Sequence, residues 1–319
     1  MENFQNHNGY RLAFQKNKLT LGFLLPLESY TGSFPKMDIE EQLNLIKQVD
    51  QMGFASLFVR DAPIYDPKFG DVGFLYDPFL FLTYVAAHTE HIALGTSSIV
   101  TTLRNPLHLA KTAASLDRLS KQRFIFGVAT GDRAIEFPTF KVDPAKKGDL
   151  FQESITVMRK AWQQSFPQIQ TEYINLTEGD IVPKPLLGNI PTFGTGYSRQ
   201  TIDWLAENTD GWLFYPQNIK DQKTLIKKWS ERTNTFKPFV QPVAIDLSEK
   251  ANEFPKPITG GFRAGYKFLI EYLNAYQEAG VNHVAFVLKP GKRPANEVVQ
   301  ELGEEVLPYF PSLHSQHHT

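Results

Sequence analysis

Short apolar runs alternate with longer amphipathic stretches about eight times along the 319-residue chain. The clearest unit covers residues 92–133. It holds an apolar run at 92–97, a stretch with the helical spacing Leu109, Ala113 and Leu116, and a second apolar run at 124–128. Such alternation is typical of parallel strands joined by helices. Eight units in a chain of this length favour an α/β fold of the (β/α)8 TIM-barrel type over an open doubly wound sheet.

The apolar runs and the helical periods divide the chain into predicted elements. Strands are predicted at 19–26, 55–59, 92–97, 124–128, 191–196, 211–214, 239–246 and 283–288. Helices are predicted at 38–52, 77–90, 107–119, 149–164, 199–207, 218–232, 264–280 and 294–307. We expect Asp38, Asp77 and Ser198 to cap the first, second and fifth of these helices, because their side chains accept hydrogen bonds from free helix N–H groups.

One barrel domain is predicted for residues 19–319, preceded by an N-terminal arm at 1–18. The arm is polar and lacks the apolar centre of a signal peptide. A Pro-rich interval at 166–190 is expected to leave the barrel as a small hairpin excursion before strand 5. The longest loops follow strands 2, 4 and 7, on the face where barrels place their active sites.

Composition narrows the classes of function. The net charge of −1 and the pI near 6.7 give no electrostatic reason to expect nucleic acid or an anionic membrane as a partner. The chain has no cysteine, which excludes disulfides, thiolate metal ligands and cysteine nucleophiles. No apolar run approaches the roughly 20 residues that a membrane span needs. A cytoplasmic protein is the expectation.

Small polar residues follow the third and fourth predicted strands, at Thr96-Ser97-Ser98 and Thr130-Gly131-Asp132. Ligands of parallel α/β folds bind at the C-terminal ends of strands, so these segments are candidates for a polar, phosphorylated ligand. The alternative is ordinary turn chemistry at a strand end.

A glycine-rich segment, Gly194-Thr195-Gly196-Tyr197-Ser198, leads from strand 5 into the next helix. Glycines let a ligand approach the backbone, and free N–H groups at a helix start favour phosphate. The alternative is a glycine-rich turn with a serine cap. Arg199 stands where a dinucleotide fingerprint needs its third glycine, so the segment is not an NAD signature.

Charged residues at strand ends are candidates for catalysis: Arg60 and Asp61 after strand 2, Arg104 after strand 3, and Asp132 after strand 4. The competing interpretation is that they form ion pairs that brace the loops. Aspartates 61, 66, 71 and 77 are not interpreted as a cation site, because 66 and 77 precede proline and 71 follows glycine, all of which are turn roles. The histidines at 314, 317 and 318 are interpreted as a terminal tail. No metal site is therefore predicted. The chain lacks a G-x-S-x-G elbow, a P-loop and an H-E-x-x-H motif.

With these residues in view, the sequence resembles the bacterial luciferase-like, flavin-dependent monooxygenase family over about residues 19–310. The resemblance is carried by segments 53–61, 94–100, 105–106, 114–120, 123–128, 194–198 and 210–212. The phrase VRDAPIYDPKFGD at 59–71 is similar to an uncharacterised subgroup of that family.

The resemblance implies a (β/α)8 barrel with reduced FMN at its C-terminal mouth. Tyr197, Ser198 and Thr201 match phosphate-binding positions, and Thr130 stands where light-emitting members have a phosphate-binding arginine. Ser97-Ser98 matches a non-proline cis peptide beneath the flavin ring. The full set of predicted cofactor-binding residues is Thr96, Ser97, Ser98, Thr130, Gly131, Gly194, Gly196, Tyr197, Ser198 and Thr201.

The sequence departs from the light-emitting members at two places. Their Glu-His pair after strand 2 is replaced by Asp61 and Ala62, and Asn105 replaces another active-site histidine. Neither light emission nor aldehyde chemistry is therefore expected.

The resulting hypothesis is an FMN-dependent monooxygenase that uses reduced flavin and O2 on a small organic substrate. A separate flavin reductase would supply the cofactor, since no NAD(P)H signature is visible. Three alternatives remain: a deazaflavin-dependent dehydrogenase on the same fold, a non-catalytic flavin-binding protein, and a barrel enzyme acting on sugar phosphates. Family members are often dimers through helices 2 and 3, so a homodimer is expected.

Overall fold

Eight parallel strands close into a barrel in the computed structural model, which describes residues 4–69 and 71–312. The strands are β1 (Thr20–Leu24), β2 (Ser56–Val59), β3 (Ala93–Thr96), β4 (Phe124–Ala129), β5 (Thr192–Thr195), β6 (Gly211–Leu213), β7 (Phe239–Leu247) and β8 (His283–Val287). Each strand pairs in parallel with the next, and β8 pairs with β1. The predicted TIM barrel is confirmed.

Helices connect the strands and surround the barrel. They are α1 (Ile39–Met52), α2 (Pro78–Ala86), α3 (Pro106–Leu119), α4 (Lys147–Gln163), α5 (Ile202–Asn208), α6 (Ile219–Ser230), α7 (Tyr266–Ala279) and α8 (Ala295–Glu301). The predicted caps of the first two are confirmed. Asp38 accepts a hydrogen bond from the Glu41 N–H in a capping box, and Asp77 accepts from the N–H groups of Phe79 and Leu80.

Several predicted helix ends were wrong, and three of them have a clear local reason. Ser198 does not cap α5, because Ser198 and Arg199 have positive φ angles of 44° and 58° and form a turn. Helix α2 stops at Ala86 rather than near 90, because Asp50 accepts hydrogen bonds from the N–H groups of residues 90–92. Helix α7 starts at Tyr266 rather than 264, because the preceding residues form a strand.

Shorter elements decorate the barrel. In the interval 166–190, Ile169–Gln170 pairs with Asn175–Leu176 as the expected small hairpin before β5. The segment 247–263, predicted as a long loop, instead contains strands Lys256–Ile258 and Gly261–Ala264, and the second pairs with β7. The other short elements are the strand Ile99–Val100, the helices Asn8–Ala13 and Glu136–Thr139, the 3-10 turns Phe4–Asn6, Thr101–Leu103, Pro144–Lys146 and Leu307–Tyr309, and the π turn Leu302–Val306.

The N-terminal segment covers one end of the barrel. The Asn8–Ala13 helix lies beside the start of β4, where the Gly9 N–H donates to the Gln122 carbonyl. Phe4, Tyr10 and Phe14 are buried in a cluster with barrel residues such as Phe193. A ligand must therefore enter at the opposite end, where the strands finish.

Some of the predictions concern residues that the structure does not describe. The histidines at 314, 317 and 318 and the first three residues of the predicted arm lie outside the described residues, and the domain limits 1–18 and 19–319 stay predictions. Within 4–69 and 71–312, no helix has both the length and the apolar character needed to cross a membrane.

His283 at the start of β8 makes stability dependent on pH. Its fully buried ring contacts the hydroxyl oxygens of Thr20 at 2.7 Å and Ser56 at 2.6 Å, and burial lowers its pKa from 6.5 to about 3. Below pH 6.5 the imidazole of His283 is therefore protonated in the unfolded chain but stays neutral in the native state down to about pH 3. Acid consequently lowers the free energy of unfolding. Through this residue the free energy of unfolding falls by about 1.4 kcal/mol per pH unit between these two pKa values.

The His283→Gln variant isolates this contribution. Urea unfolding of both proteins between pH 6 and pH 4 should give a steeper pH dependence for the wild type, by the slope of one proton. Equal slopes would show that His283 is not the group responsible.

Candidate active site

A cavity of about 740 Å³ opens at the C-terminal ends of the strands. This volume lies within the roughly 300–1,000 Å³ typical of ligand pockets. All eight strands or the loops that follow them contribute to its wall. Apolar side chains from β6, β7 and β8 form one side, among them Leu213, Phe214, Pro242 and Val287. This side suits a flat apolar ring.

The loop after β3 enters the cavity through a cis peptide bond between Ser97 and Ser98, as the family resemblance implied. The Ser97 N–H donates to the Val59 carbonyl at 2.7 Å, and the Ser98 and Thr195 hydroxyls are hydrogen-bonded to each other. Two of the predicted strand-end serines therefore line the cavity, tied to the ends of β2 and β5.

Thr96 does not join them. Its side chain is fully buried, and its hydroxyl donates to the Gly127 carbonyl at 2.8 Å. It lies outside the cavity lining, so the expectation that its hydroxyl contacts a cofactor needs correction. Its place in the last position of β3 turns it toward β4 instead.

The turn Gly196-Tyr197-Ser198-Arg199 presents free backbone donors. Gly196 has a φ of 53°, and Ser198 and Arg199 also lie in the left-handed region. Among the described residues, no hydrogen bond uses the N–H of Tyr197, Ser198 or Arg199. Successive N–H groups in such a turn form a concave anion-binding site. Gly196, Tyr197 and Ser198 line the cavity, so an anion bound by the turn would lie at its edge.

Two contacts hold this turn in shape. The Trp212 indole N–H donates to the Gly196 carbonyl at 2.6 Å, and the Ser198 hydroxyl donates to the Thr195 carbonyl at 2.7 Å. Tyr197 packs its ring edge against Trp212, with 5.8 Å between ring centroids. The candidate anion site is thus a turn held by two hydrogen bonds, and not the helix N-terminus that the sequence suggested.

Gly194 and Thr201, both predicted to bind the cofactor, have structural roles here and do not line the cavity. A Cβ on Gly194 would lie 2.8 Å from the Leu205 side chain, so this glycine lets α5 pack closely on β5. The Thr201 side chain caps α5 by accepting from the Trp204 N–H at 3.1 Å.

The loop after β4 brings Thr130, Gly131 and Asp132 to the cavity, as predicted. Lys147 also reaches this loop: its ammonium donates to the Gly131 carbonyl at 3.2 Å. Burial and the nearby Arg199 charge lower the pKa of Lys147. The turn therefore carries one cationic side chain, Arg199, and has a second, Lys147, close to it.

Sequence reasoning missed Lys147, because it began this helix at 149. In the structure Lys147 is the first residue of α4, where the helix dipole disfavours a cation. A lysine at such a position is a reason to look for an anion nearby.

Asp61 and Arg104 form an ion pair in which the carboxylate is buried and the guanidinium is partly exposed. The Asp61 side chain is 1% exposed and receives two hydrogen bonds from Arg104, at 2.8 and 3.2 Å, and one from the Val100 N–H at 3.1 Å. Burial raises the pKa of Asp61, and the Arg104 charge opposes that rise. Arg104 also reaches Asp77 at 3.3 Å.

This arrangement favours the bracing interpretation over direct catalysis by Arg104. Arg104 lies outside the cavity lining, in a second, shallower depression that includes Asn105 and His108. Asn105 caps α3 by accepting from the N–H groups of residues 107 and 108. The predicted catalytic role of Arg104 is therefore corrected to a role in holding Asp61 at the cavity wall.

Arg60 lines the cavity next to a network that sequence reasoning missed. Asp71 accepts hydrogen bonds from the Tyr30 hydroxyl at 3.0 Å and the Lys289 ammonium at 2.8 Å, and its carboxylate lies 3.8 Å from Arg60. Asp71 also accepts from the Gly73 N–H, which is the turn role predicted for it. Tyr30, Asp71 and Lys289 come from three separate loops, so no local pattern in the sequence joins them.

Metal ligands are not assembled at the cavity or elsewhere in the described part of the chain. No group of three or more histidine and carboxylate side chains there is placed to hold an ion.

Comparison with known proteins places these features in a family. The sequence model of the luciferase-like monooxygenase family matches residues 19–244. An uncharacterised protein of Mycobacterium tuberculosis is 29% identical over 175 residues, which are 54% of this chain and 61% of that protein. The alkanal monooxygenase beta chain of Photorhabdus luminescens is 25% identical over 233 residues, 73% of this chain and 68% of that one.

Solved structures with the same fold share little sequence. A monooxygenase of Streptomyces bottropensis matches 91% of this chain and 99% of its own, with a TM-score of 0.77 and 14% identity. An F420-dependent secondary alcohol dehydrogenase matches 92% and 100%, with a TM-score of 0.77 and 17% identity. The FMN complex of a 3,6-diketocamphane monooxygenase from Pseudomonas putida matches 91% and 98%, with a TM-score of 0.72 and 13% identity.

Proposed function

The chain belongs to the luciferase-like monooxygenase family, and from this premise we propose that it is an FMN-dependent monooxygenase. It would use reduced FMN and O2 to oxygenate a small organic substrate. The match spans 61% of the length of the uncharacterised M. tuberculosis relative, so the activity is inferred from this chain's own site. The observation that carries the proposal is the turn at 196–199. Its N–H groups at 197–199 form no hydrogen bond among the described residues, and its residues 196–198 line a cavity with an apolar side.

The residues present fit a flavin mononucleotide. The N–H groups of the turn and the Lys147 and Arg199 cations complement a phosphate. The Ser97-Ser98 peptide and the apolar side formed by residues such as Leu213 provide walls for a flat ring. When bound, reduced FMN supplies the two electrons that activate O2.

The chain's own part is to orient, to exclude water and to hold protons. Phe214 and Val287 keep water away from the apolar side of the cavity. Tyr215 also lines the cavity and can donate a hydrogen bond there; burial and the Asp132 charge raise the pKa of its hydroxyl. Asp132 lines the cavity, forms no ion pair among the described residues and is the proposed group for handling protons.

A deazaflavin-dependent dehydrogenase is the second candidate. It is favoured by the fold match to the F420-dependent alcohol dehydrogenase, which is as good as the match to the Streptomyces monooxygenase. The absence of a histidine at positions 62 and 105 fits either function, and also a flavin-binding protein without turnover.

Anaerobic titration with reduced FMN and with reduced deazaflavin coenzyme discriminates between these functions. The proposal expects tighter binding of reduced FMN, followed by oxygen uptake that increases when an oxygenatable substrate is added with a generic flavin reductase. Tighter binding of the deazaflavin would favour the dehydrogenase. Bound flavin without substrate-dependent oxygen uptake across a broad panel would favour the non-catalytic protein. Light emission is not expected in any case.

We further propose a cytoplasmic homodimer that receives reduced flavin from a separate reductase. Helices α2 and α3 pack against each other and expose large apolar side chains, with Leu80 75% and Leu119 64% exposed. Leu80→Asp should convert the dimer to a monomer in multi-angle light scattering. Phe254→Asp, at an 84% exposed site away from these helices, is the matched control. A monomeric wild type would contradict the proposed dimer.

A further inference from the structure

A positively charged patch lies on the cavity wall formed by the ends of β8, β1 and β2. Arg60 and Lys289 both line the cavity, and both are paired with the same carboxylate, that of Asp71. The third partner of Asp71, the Tyr30 hydroxyl, is neutral. Within this cluster two cations share one anion, so the patch carries a net positive charge.

Arg60 has unused hydrogen-bond donors. Its guanidinium carries five N–H donors, and its one ion pair among the described residues spans 3.8 Å, beyond hydrogen-bond distance. No hydrogen bond from the Arg60 side chain is formed within residues 4–69 and 71–312. The side chain is only 32% exposed, so these donors are partly withdrawn from water at the cavity wall. A planar anion could pair with two of them at once.

The neighbouring charges leave the patch positive. The buried Glu28 carboxylate acts on Tyr30 but accepts hydrogen bonds from the N–H groups of Lys36 and Met37, and its charge is offset by that of Arg133, which donates to the carbonyls of Ile64, Asp71 and Val72. Asp61 is paired with Arg104. Asp132 belongs to the loop after β4, on the opposite side of the barrel from β8.

The surroundings of the patch are aromatic. The Lys289 ammonium lies 4.7 Å from the centre of the Tyr30 ring, and Phe69, which stacks on Arg133, also lines the cavity. A ligand held here would place its charged end on Arg60 and its apolar body against these rings.

The patch is separate from the proposed phosphate site. The turn at 196–199 follows β5, which lies across the barrel from β1. A cofactor whose phosphate is bound by the turn would therefore leave the cations of β8 and β2 to a second ligand.

Resting on the proposed function, we propose that the substrate carries a carboxylate, which Arg60 binds through its free N–H donors with Lys289 beside it. The apolar part of the substrate then extends toward the centre of the cavity, where the reaction takes place. This inference assigns a substrate class, an organic carboxylate with an apolar body, and makes Arg60 a residue of substrate specificity.

The test is calorimetric titration of the full chain with four carboxylates, each compared with its own primary amide. The probes are benzoate, phenylacetate, cyclohexanecarboxylate and hexanoate, titrated with and without saturating oxidised FMN. At least one carboxylate should bind about tenfold or more tightly than its amide, because charge-assisted pairing with arginine is lost in the amide.

Variants locate the preference. Arg60→Gln and, separately, Lys289→Gln should weaken carboxylate binding by about tenfold while amide binding is retained, and Arg60→Lys should restore part of the loss. Arg232→Gln is the matched control, because Arg232 has a single carboxylate partner, Asp203, on the surface.

The proposal is wrong if no carboxylate binds more tightly than its amide, or if the preference survives both Arg60→Gln and Lys289→Gln. Failure of the proposed function gives a different result. In that case neither flavin nor deazaflavin binds, while the titrations on the chain without cofactor still report whether carboxylates are preferred.

Discussion

Replacing Arg104 by leucine should lower the free energy of unfolding by about 3–5 kcal/mol at neutral pH, because it leaves a buried charge without its partner. The Asp61 side chain is 1% exposed, and Arg104 provides two of its three hydrogen bonds. Urea unfolding at pH 7, followed by circular dichroism, measures the loss.

The pH dependence of this loss identifies its cause. Burial raises the pKa of Asp61 above its ordinary value even with Arg104 present, and removing Arg104 raises it further. A carboxyl with a raised native pKa is most favourable when protonated, so the destabilisation should shrink as pH falls toward 4 and grow as pH rises.

A double variant separates charge from packing. Arg104→Leu combined with Asp61→Asn removes the unpaired charge, so most of the lost stability should return. If the single and double variants are equally unstable at pH 7, the loss comes from packing around Arg104 and the account of the ion pair is wrong.

The second large effect concerns the cofactor. Lys147→Met should raise the Kd for FMN about 10- to 100-fold, because it removes a charged hydrogen-bond donor from the proposed phosphate site. The Kd for riboflavin, which has no phosphate, should not change. Flavin fluorescence titration of wild type and variant with both ligands measures this difference.

Lys146→Met is the control for this experiment. Lys146 precedes Lys147 in the chain but pairs with Glu172 at 3.2 Å, and its side chain is 49% exposed. Its replacement should leave both Kd values unchanged. An equal effect of Lys147→Met on FMN and riboflavin would mean that Lys147 shapes the loop after β4 and does not contact phosphate.

Local signals predicted the fold well because each acts within a few residues. Asp77 followed by Pro78 marks a helix start, and the alternation of apolar runs marks eight strands. These local signals gave wrong helix ends where a residue distant in the sequence binds the backbone. Helix α2 ends early because Asp50, about 40 residues away in the chain, binds the backbone that follows it.

The candidate site was predicted in part for the same reason. Ser97, Ser98, Gly196 and Tyr197 follow strands directly, so their arrival at the cavity is a consequence of the barrel. The sequence pattern does not tell whether a polar side chain at a strand end faces the cavity or the neighbouring strand. Thr96 is the example, since its hydroxyl donates to the Gly127 carbonyl of β4.

Contacts made at the cavity by long side chains from other loops could not be predicted from the sequence pattern either. The contact between Lys147 and Gly131 and the cluster of Tyr30, Asp71 and Lys289 depend on loop paths that no local periodicity encodes.

The central claim is that the turn at 196–199 binds the phosphate of a flavin whose ring lies in the cavity. The most direct test compares the Kd of a phosphorylated cofactor with that of its phosphate-free core, both reduced and anaerobic: FMN against riboflavin, and the deazaflavin coenzyme against its deazariboflavin core. The account predicts saturable binding of at least one cofactor, about tenfold or more tighter than its own core. Equal affinities within both pairs, or no binding of any of the four compounds, would contradict it.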